Sequence, residues 1–262
     1  MKITQTSLFR RRLIQQWDLL RELVSRDMKL LYKRSFLGIA WTLINPLLQL
    51  AVFAFVFQAV IPINIPRYAS FVFTGLLSWN WFQTSLYQAT GVIIANRPLV
   101  RQPGFPMAIL PVVITTTGLI HFILALPVLI MFLLWDGVQL TPVAFYLPIL
   151  QLIQFALTVT LSYLLAALNV TFRDTQHTLG VLLQLLFYLV PIFYDDTSVK
   201  NIPLIYYFNP MVQMVKAYRD ILMQGTQPDW TALLIMSLVI VVCLPLGLAY
   251  FRRQSLSFVE EI

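Results

Sequence analysis

The chain has 262 residues, 59% hydrophobic and only 11% charged, with a formal net charge of +7 and a mean hydropathy of +0.77. Soluble domains are about 45–50% apolar and about 25% charged, so the composition excludes an ordinary soluble domain and implies a membrane protein. The positive charges sit at the ends of apolar runs, where membrane topology places them, so nucleic acid is not expected as a partner.

The first segment, residues 1–34, holds nine of the 18 lysines and arginines. Leu13, Trp17, Leu20, Val24, Met28 and Leu31 recur at steps of three and four, which predicts a helix with one apolar stripe. Arg11, Arg12, Arg26, Lys29 and Lys33 lie off that stripe, and Glu22 precedes Arg26 by one turn, a helix-supporting spacing. A basic helix with a tryptophan on its apolar stripe reads as one lying in the membrane interface; a helix packed like a soluble one is the alternative. The first apolar run starts only after this segment, so no cleavable signal peptide is expected.

Charge-free stretches then divide residues 35–262. A spanning helix needs about 20 mostly apolar residues, which predicts six spans at 36–61, 69–95, 106–135, 143–170, 176–194 and 230–251. Prolines 46, 111, 127 and 245 fall inside them and predict kinks. Counting lysine and arginine on alternate sides puts fourteen of 18 on the side of the N-terminus. That bias predicts both termini in the cytoplasm. The loop "NRPLVRQPGFP", residues 96–106, then faces the cytoplasm with Arg97 and Arg101. A helix starting after Pro98 has to end by Gln102, because the residue before Pro103 is disfavoured in a helix.

Residues 195–229 lie on the outer side and are too apolar for a solvated loop. Two short apolar pieces flank Asn209-Pro210, with Met211, Met214, Val215, Tyr218 and Leu222 on one face. They read as short re-entrant helices that cap or line a pathway; an ordered outer loop is the alternative. The fold class expected is all-α, with six transmembrane helices, an N-terminal interfacial helix and re-entrant outer helices between spans 5 and 6.

The missing chemistry narrows the function. No G-x-x-x-x-G-K-[ST] loop is present and no glycine precedes a lysine, so the chain cannot hold ATP in that mode. Metal-site and serine-hydrolase signatures are lacking. No Asp or Glu falls within a predicted span, which disfavours an ion-coupled transporter. His121, mid-span, is a functional candidate by position, but a neutral, hydrogen-bonded packing residue is the preferred reading. Aromatics make up 14% of the chain. Trp79, Trp81, Phe82 and Tyr87 cluster in the second span; Tyr188, Phe193, Tyr194, Tyr206, Tyr207 and Phe208 cluster near the outer face. An interfacial aromatic belt accounts for the outer cluster. Rings lining a path for a sugar polymer are the other reading of the inner one.

Several motifs occur in order: "SRDMKLLYKRSFLGIAWTLINPLLQL", "NRPLVRQPGFPMAILP", "LNVTFRDTQHTLGVLLQLLFYLVPIFY" and "FNPMVQMVKAYRDIL", before the closing "FRRQSLSFVEEI". Together they resemble the membrane subunits of ABC-2 exporters for O-antigen, capsule and teichoic-acid polysaccharides. That family carries R-D-x-K (Arg26, Asp27, Lys29), S-x-L-G-x-x-W (Ser35 to Trp41), L-V-x-x-x-x-F-P (Leu99, Val100, Phe105, Pro106), N-x-x-x-R-D (Asn169, Arg173, Asp174) and N-P…Y-R (Asn209, Pro210, Tyr218, Arg219). The resemblance implies a homodimeric channel driven by two copies of a separate ATPase subunit, which binds ATP and magnesium; this chain holds no cofactor or metal of its own. It implies a polysaccharide cargo, usually linked to a polyprenyl-diphosphate lipid, in the bacterial cytoplasmic membrane. It also implies ATPase coupling through Arg26, Asp27, Arg97, Leu99, Val100, Arg101, Phe105 and Pro106. A channel lined by Trp79, Trp81, Phe82 and Tyr87 is implied with it. So is an outer gate at Tyr194, Tyr206, Tyr207, Asn209, Pro210, Tyr218 and Arg219. The competing readings are an ABC-2 exporter of drugs or lipids and a membrane lipid-linked sugar transferase.

Overall fold

A computed structural model describes residues 5–33, 37–60, 65–195 and 208–261. Every regular element among them is helical. In chain order these are α1 (Gln5–Tyr32), α2 (Trp41–Ala54), α3 (Tyr68–Ala95), α4 (Arg97–Val100), α5 (Ile109–Trp135), α6 (Leu147–Thr171), α7 (Thr175–Leu189), α8 (Pro210–Arg219), α9 (Trp230–Gln254) and α10 (Phe258–Glu261). Short 3-10 turns precede α2 and α6, and π-helical turns extend α2 and α8.

Among the described residues, most of each of the six apolar runs is helix. Four helical stretches are long and apolar enough to cross a membrane: Gly38–Phe57, Ile109–Trp135, Pro142–Thr171 and Trp230–Gln254. Helix α3 is long enough at 28 residues but carries Thr74, Ser78, Asn80, Gln83, Thr84 and Gln88 among its apolar residues. Helix α7 has 15 residues, about 22 Å at 1.5 Å per residue.

The bundle is built around α3, which packs against α2, α5, α6, α7 and α8. A helix enclosed on most sides can hold polar groups only if partners are supplied. Ser78 Oγ donates to Gln154 Oε1 on α6 at 3.1 Å, and Gln154 Nε2 donates back to the Ser78 carbonyl at 2.8 Å. Thr74 and Thr90 donate to carbonyls one turn earlier. Helices α3 and α5 meet at Gly118, where a Cβ would come within 2.7 Å of Trp81 Cδ1. A small residue at this crossing lets the backbones approach. The Trp81 indole N–H then reaches the Thr115 carbonyl on α5 at 3.2 Å.

The outward surface is apolar where a soluble protein's would be polar. On α9, Leu234, Leu238 and Val241 are exposed by 67–70%, and the apolar window of α9 is only 17% buried. An apolar exterior of that extent belongs in lipid or against a partner. Pro46, Pro127 and Pro245 lie within α2, α5 and α9. Pro111, expected to kink a span, falls instead in the first turn of α5, where a proline displaces no helical hydrogen bond.

Candidate functional site

The two ends of the bundle carry different chemistry. One end gathers α1, the loop after α3, the start of α5 and the end of α9 around a second core of Leu23, Val24, Ile93, Val100, Leu110, Tyr163 and Phe251. Among the described side chains, the predicted stripe of α1 docks there through its middle: Val24 is buried and Leu20 and Met28 pack against the cluster, with Leu19 and Leu23 added from the next rows. Trp17 and Leu31, on either side of that middle, are 66% and 51% exposed.

The loop 96–106 begins with one helical turn, α4, with Pro98 in its first turn, where proline's fixed φ suits a helix start. The helix ends at Val100, two residues short of the limit set by Pro103. Gly104 adopts φ 77°, a left-handed conformation that glycine takes without strain. Arg97, Arg101 and Pro106 are exposed, and Leu99 and Phe105 are half-buried. Val100 is only 1% exposed and points into the second core. It staples the loop to the bundle, so in this arrangement it is not the outward knob that the motif suggested.

Arg26 and Asp27, from the R-D-x-K motif, meet this loop directly. Arg26 Nε and Nη2 donate to Asp27 Oδ1 at 3.0 and 2.8 Å, and Arg26 Nη2 also donates to Asn96 Oδ1 at 3.0 Å. The Glu22–Arg26 pairing anticipated from helical spacing gives way to this one. Asn96 Nδ2 donates to the Val92 carbonyl at 3.0 Å, so one amide ties the end of α3, the loop and α1 together. Asn96 was not singled out in the sequence, because its partner lies 70 residues away. Asn169 likewise has a structural job: only 1% exposed, its Oδ1 accepts from the Gln176 N–H at 3.2 Å across the α6–α7 reversal, while Arg173 and Asp174 stay exposed.

At the opposite end, Asn209 Oδ1 accepts from the Met211 N–H at 3.0 Å and Pro210 takes the first helical position of α8. Asparagine cap followed by proline is a strong helix start. Arg219, 6% exposed, inserts beside α3. Its Nη2 donates to the Ile192 carbonyl at 2.8 Å and to the Phe71 carbonyl at 3.2 Å, and its guanidinium lies 3.4 Å from the Phe71 ring centroid. Gly75 makes the room: a Cβ there would stand 3.0 Å from Arg219 Nη2. Tyr218 is fully buried against Phe122, and the Tyr194 hydroxyl donates to the Tyr188 and Leu189 carbonyls. Tyr206 and Tyr207 fall outside the described residues.

The four aromatic residues singled out on α3 divide. Trp79 and Phe82 are 1% and 4% exposed; Trp79 packs on Phe82 and Phe187 and its indole N–H bonds to Gln83. Neither offers an open ring face in this arrangement. Trp81 borders a cavity, and Tyr87 is 41% exposed. That cavity, about 650 Å³ between α2, α3 and α5, also has Trp41, Asn45, Gln49, Asn80, Gln88 and His121 on its wall. Asn80 Nδ2 donates to Gln49 Oε1 at 3.1 Å across it. The amides suit a hydroxyl-rich ring and the Trp41 indole, 42% exposed, can accept its C–H surface, whereas Trp81, 3% exposed, offers no more open a face than Trp79 or Phe82. Beside it, Phe53, Phe57, Phe187 and Phe193 form a run of rings with centroids 5.3 to 6.3 Å apart.

Comparison with known proteins agrees with these features. The family model for ABC-2 type transporters matches residues 18–223. The O-antigen export system permease protein RfbA of Myxococcus xanthus is 37% identical over 96% of this chain and 98% of its own length. The protein of the same name from Klebsiella pneumoniae is 30% identical over 93% of this chain and 95% of its own. The polysialic acid transport protein KpsM of Escherichia coli is 25% identical over 88% of this chain and 91% of its own. The family match spans the second half of α1, the loop 96–106, the polar cavity and α8 alike, and the chain belongs to the ABC-2 type transporter family of multi-pass membrane proteins.

Proposed function

We propose that this chain is the channel-forming subunit of an ABC exporter that moves a lipid-linked polysaccharide of the O-antigen type across the bacterial cytoplasmic membrane. The observation that carries the reading is near-full-length similarity to a permease of O-antigen export, in a chain that has no phosphate loop of its own. A chain of that kind needs an ATPase partner. Two copies of such a subunit, binding ATP and magnesium, would act on a homodimer of this one.

In this reading α2, α3, α5, α6, α7 and α9 all cross the membrane, both termini are cytoplasmic, and segment 195–229 enters from the outer face as a gate. The end carrying α1 and the loop 96–106 is then the cytoplasmic end. Exposed Arg97 and Arg101, with half-buried Leu99 and Phe105, form the surface offered to the ATPase. Movement there passes to α1 through the Arg26–Asn96 bond and to α3 through Val100. Coupling of this kind needs a contiguous element that both sites bias. The polar, indole-bearing cavity and the phenylalanine run next to it supply a surface that sugar rings can slide along without a fixed register.

A deletion strain tests the reading. Loss of this chain leaves completed polymer inside the cell, and a plasmid copy restores it to the surface. Normal surface polymer in the deletion strain overturns the proposal. A change only in lipid or drug export identifies the cargo as one of those instead.

A further inference from the structure

A second cleft lies apart from the polar cavity, at the end of the bundle that holds α1. It encloses about 680 Å³ between α1, the start of α5, α6 and the end of α9, within the range of clefts that hold small ligands. Its walls are mostly apolar, with Leu20, Met107, Val112, Leu248 and fully buried Phe251, and Gln16 and Ser255 add polar groups. Trp17 and Leu256, 66% and 83% exposed, stand at its rim. Arg252 lines the same cleft, and no Asp or Glu does.

We propose that this cleft binds an anionic phospholipid, with an acyl chain between α1 and α9 and the phosphate against Arg252. Depth is the first argument. Arg252 and Arg253 close a 25-residue apolar helix, and basic residues there mark the level where hydrocarbon gives way to headgroups. An exposed tryptophan at the same rim belongs at that level too. Charge is the second. Among the described residues no carboxylate pairs with Arg252, and Arg253 follows it. A zwitterionic lipid fills the apolar walls equally well but gains less from this positive rim. One lysine or arginine near a membrane surface is worth about a fivefold preference for an anionic lipid. Packing is the third. Trp17 stands 66% exposed beside the cleft, so an acyl chain beneath Trp17 and Leu20 fills the space that the helix leaves open there. The site needs neither ATP nor polymer and stands independently of the export reading.

The test uses full-length protein in vesicles containing a photoreactive phosphatidylglycerol or the matching phosphatidylcholine, with labelled peptides mapped by mass spectrometry. Phosphatidylglycerol is expected to label residues 105–112 and 248–256 about fivefold more than phosphatidylcholine. Arg252→Gln brings the two lipids level. Leu248→Trp, which fills the cleft, abolishes labelling there by both, while gel filtration confirms that each variant is folded. Equal labelling of wild-type protein by both lipids overturns the proposal, as does unchanged preference in Arg252→Gln. Competition by millimolar inorganic phosphate, or stronger labelling by a photoreactive prenyl phosphate, assigns the cleft to another ligand and also overturns it.

Discussion

Asn96→Ala isolates the contact between α1 and the loop 96–106. The substitution removes the acceptor of the 3.0 Å bond from Arg26 Nη2 and leaves the Arg26–Asp27 pair in place. It orphans nothing at the end of α3, because the Val92 carbonyl still accepts from the residue 96 backbone N–H at 3.1 Å. A buried hydrogen bond from a charged donor contributes about 1.5–3 kcal/mol. The Arg26 side chain is 36% exposed, so solvent screening lowers the figure to about 1 kcal/mol. As a coupling energy, that corresponds to about a fivefold change. The assay is polymer moved per ATP hydrolysed, in vesicles holding this chain and its ATPase. The ratio is expected to fall about fivefold in Asn96→Ala, with ATP hydrolysis itself retained. Asn96→Asp, which still offers an acceptor to Arg26, keeps the ratio near wild type. The reasoning is refuted if Asn96→Ala and Arg26→Gln both leave the ratio unchanged, or if Asn96→Asp fails as badly as alanine.

Arg219→Met removes the bonds to the Ile192 and Phe71 carbonyls and the stacking on Phe71, for an expected loss of about 3 kcal/mol; denaturant unfolding in detergent measures it, and no change contradicts the role given to Arg219. Gly118→Ala inverts the usual sign: alanine is the better helix former by about 1 kcal/mol, yet its Cβ meets Trp81, so net destabilisation of about 1–3 kcal/mol is expected. A stabilised variant in the same unfolding assay would show that α3 and α5 can separate freely. Asp229 Oδ1 accepts from the Thr231 and Ala232 N–H groups, so Asp229→Ala is expected to cost about 1 kcal/mol, read as faster hydrogen exchange in the first turn of α9 and not elsewhere.

Helix positions were legible in the sequence because charged residues fall at or beyond the ends of the apolar runs and leave their middles uninterrupted. The run at 69–95 returned as Tyr68–Ala95 and the run at 230–251 as Trp230–Gln254. The inward face of each helix was far less legible. In a soluble helix the apolar side faces the core, but here nearly every side is apolar. Trp79 and Phe82 could therefore be read as channel rings, although α3 lies at the centre of the bundle and turns them against α7 and each other. The burial of Val100 was not legible for a related reason: on a one-turn helix, spacing does not distinguish a side chain offered to a partner from an anchor to the chain itself. Long-range polar pairs such as Arg26–Asn96 and Ser78–Gln154 leave no periodic trace. Their one signal is a polar residue within or beside an apolar run, which has to find a partner when buried. That signal was present at Gln154 and at Asn96.

The central claim is that this chain conducts a polysaccharide only when an ATPase drives it. Its most direct test is translocation of lipid-linked O-antigen-type polymer across vesicles containing the chain alone, the chain with its cognate ABC ATPase, and the pair with ATP and magnesium. Transport is expected in the third preparation and in neither of the others. Polymer crossing with the chain alone, or no crossing by the complete ATP-hydrolysing pair, contradicts the account.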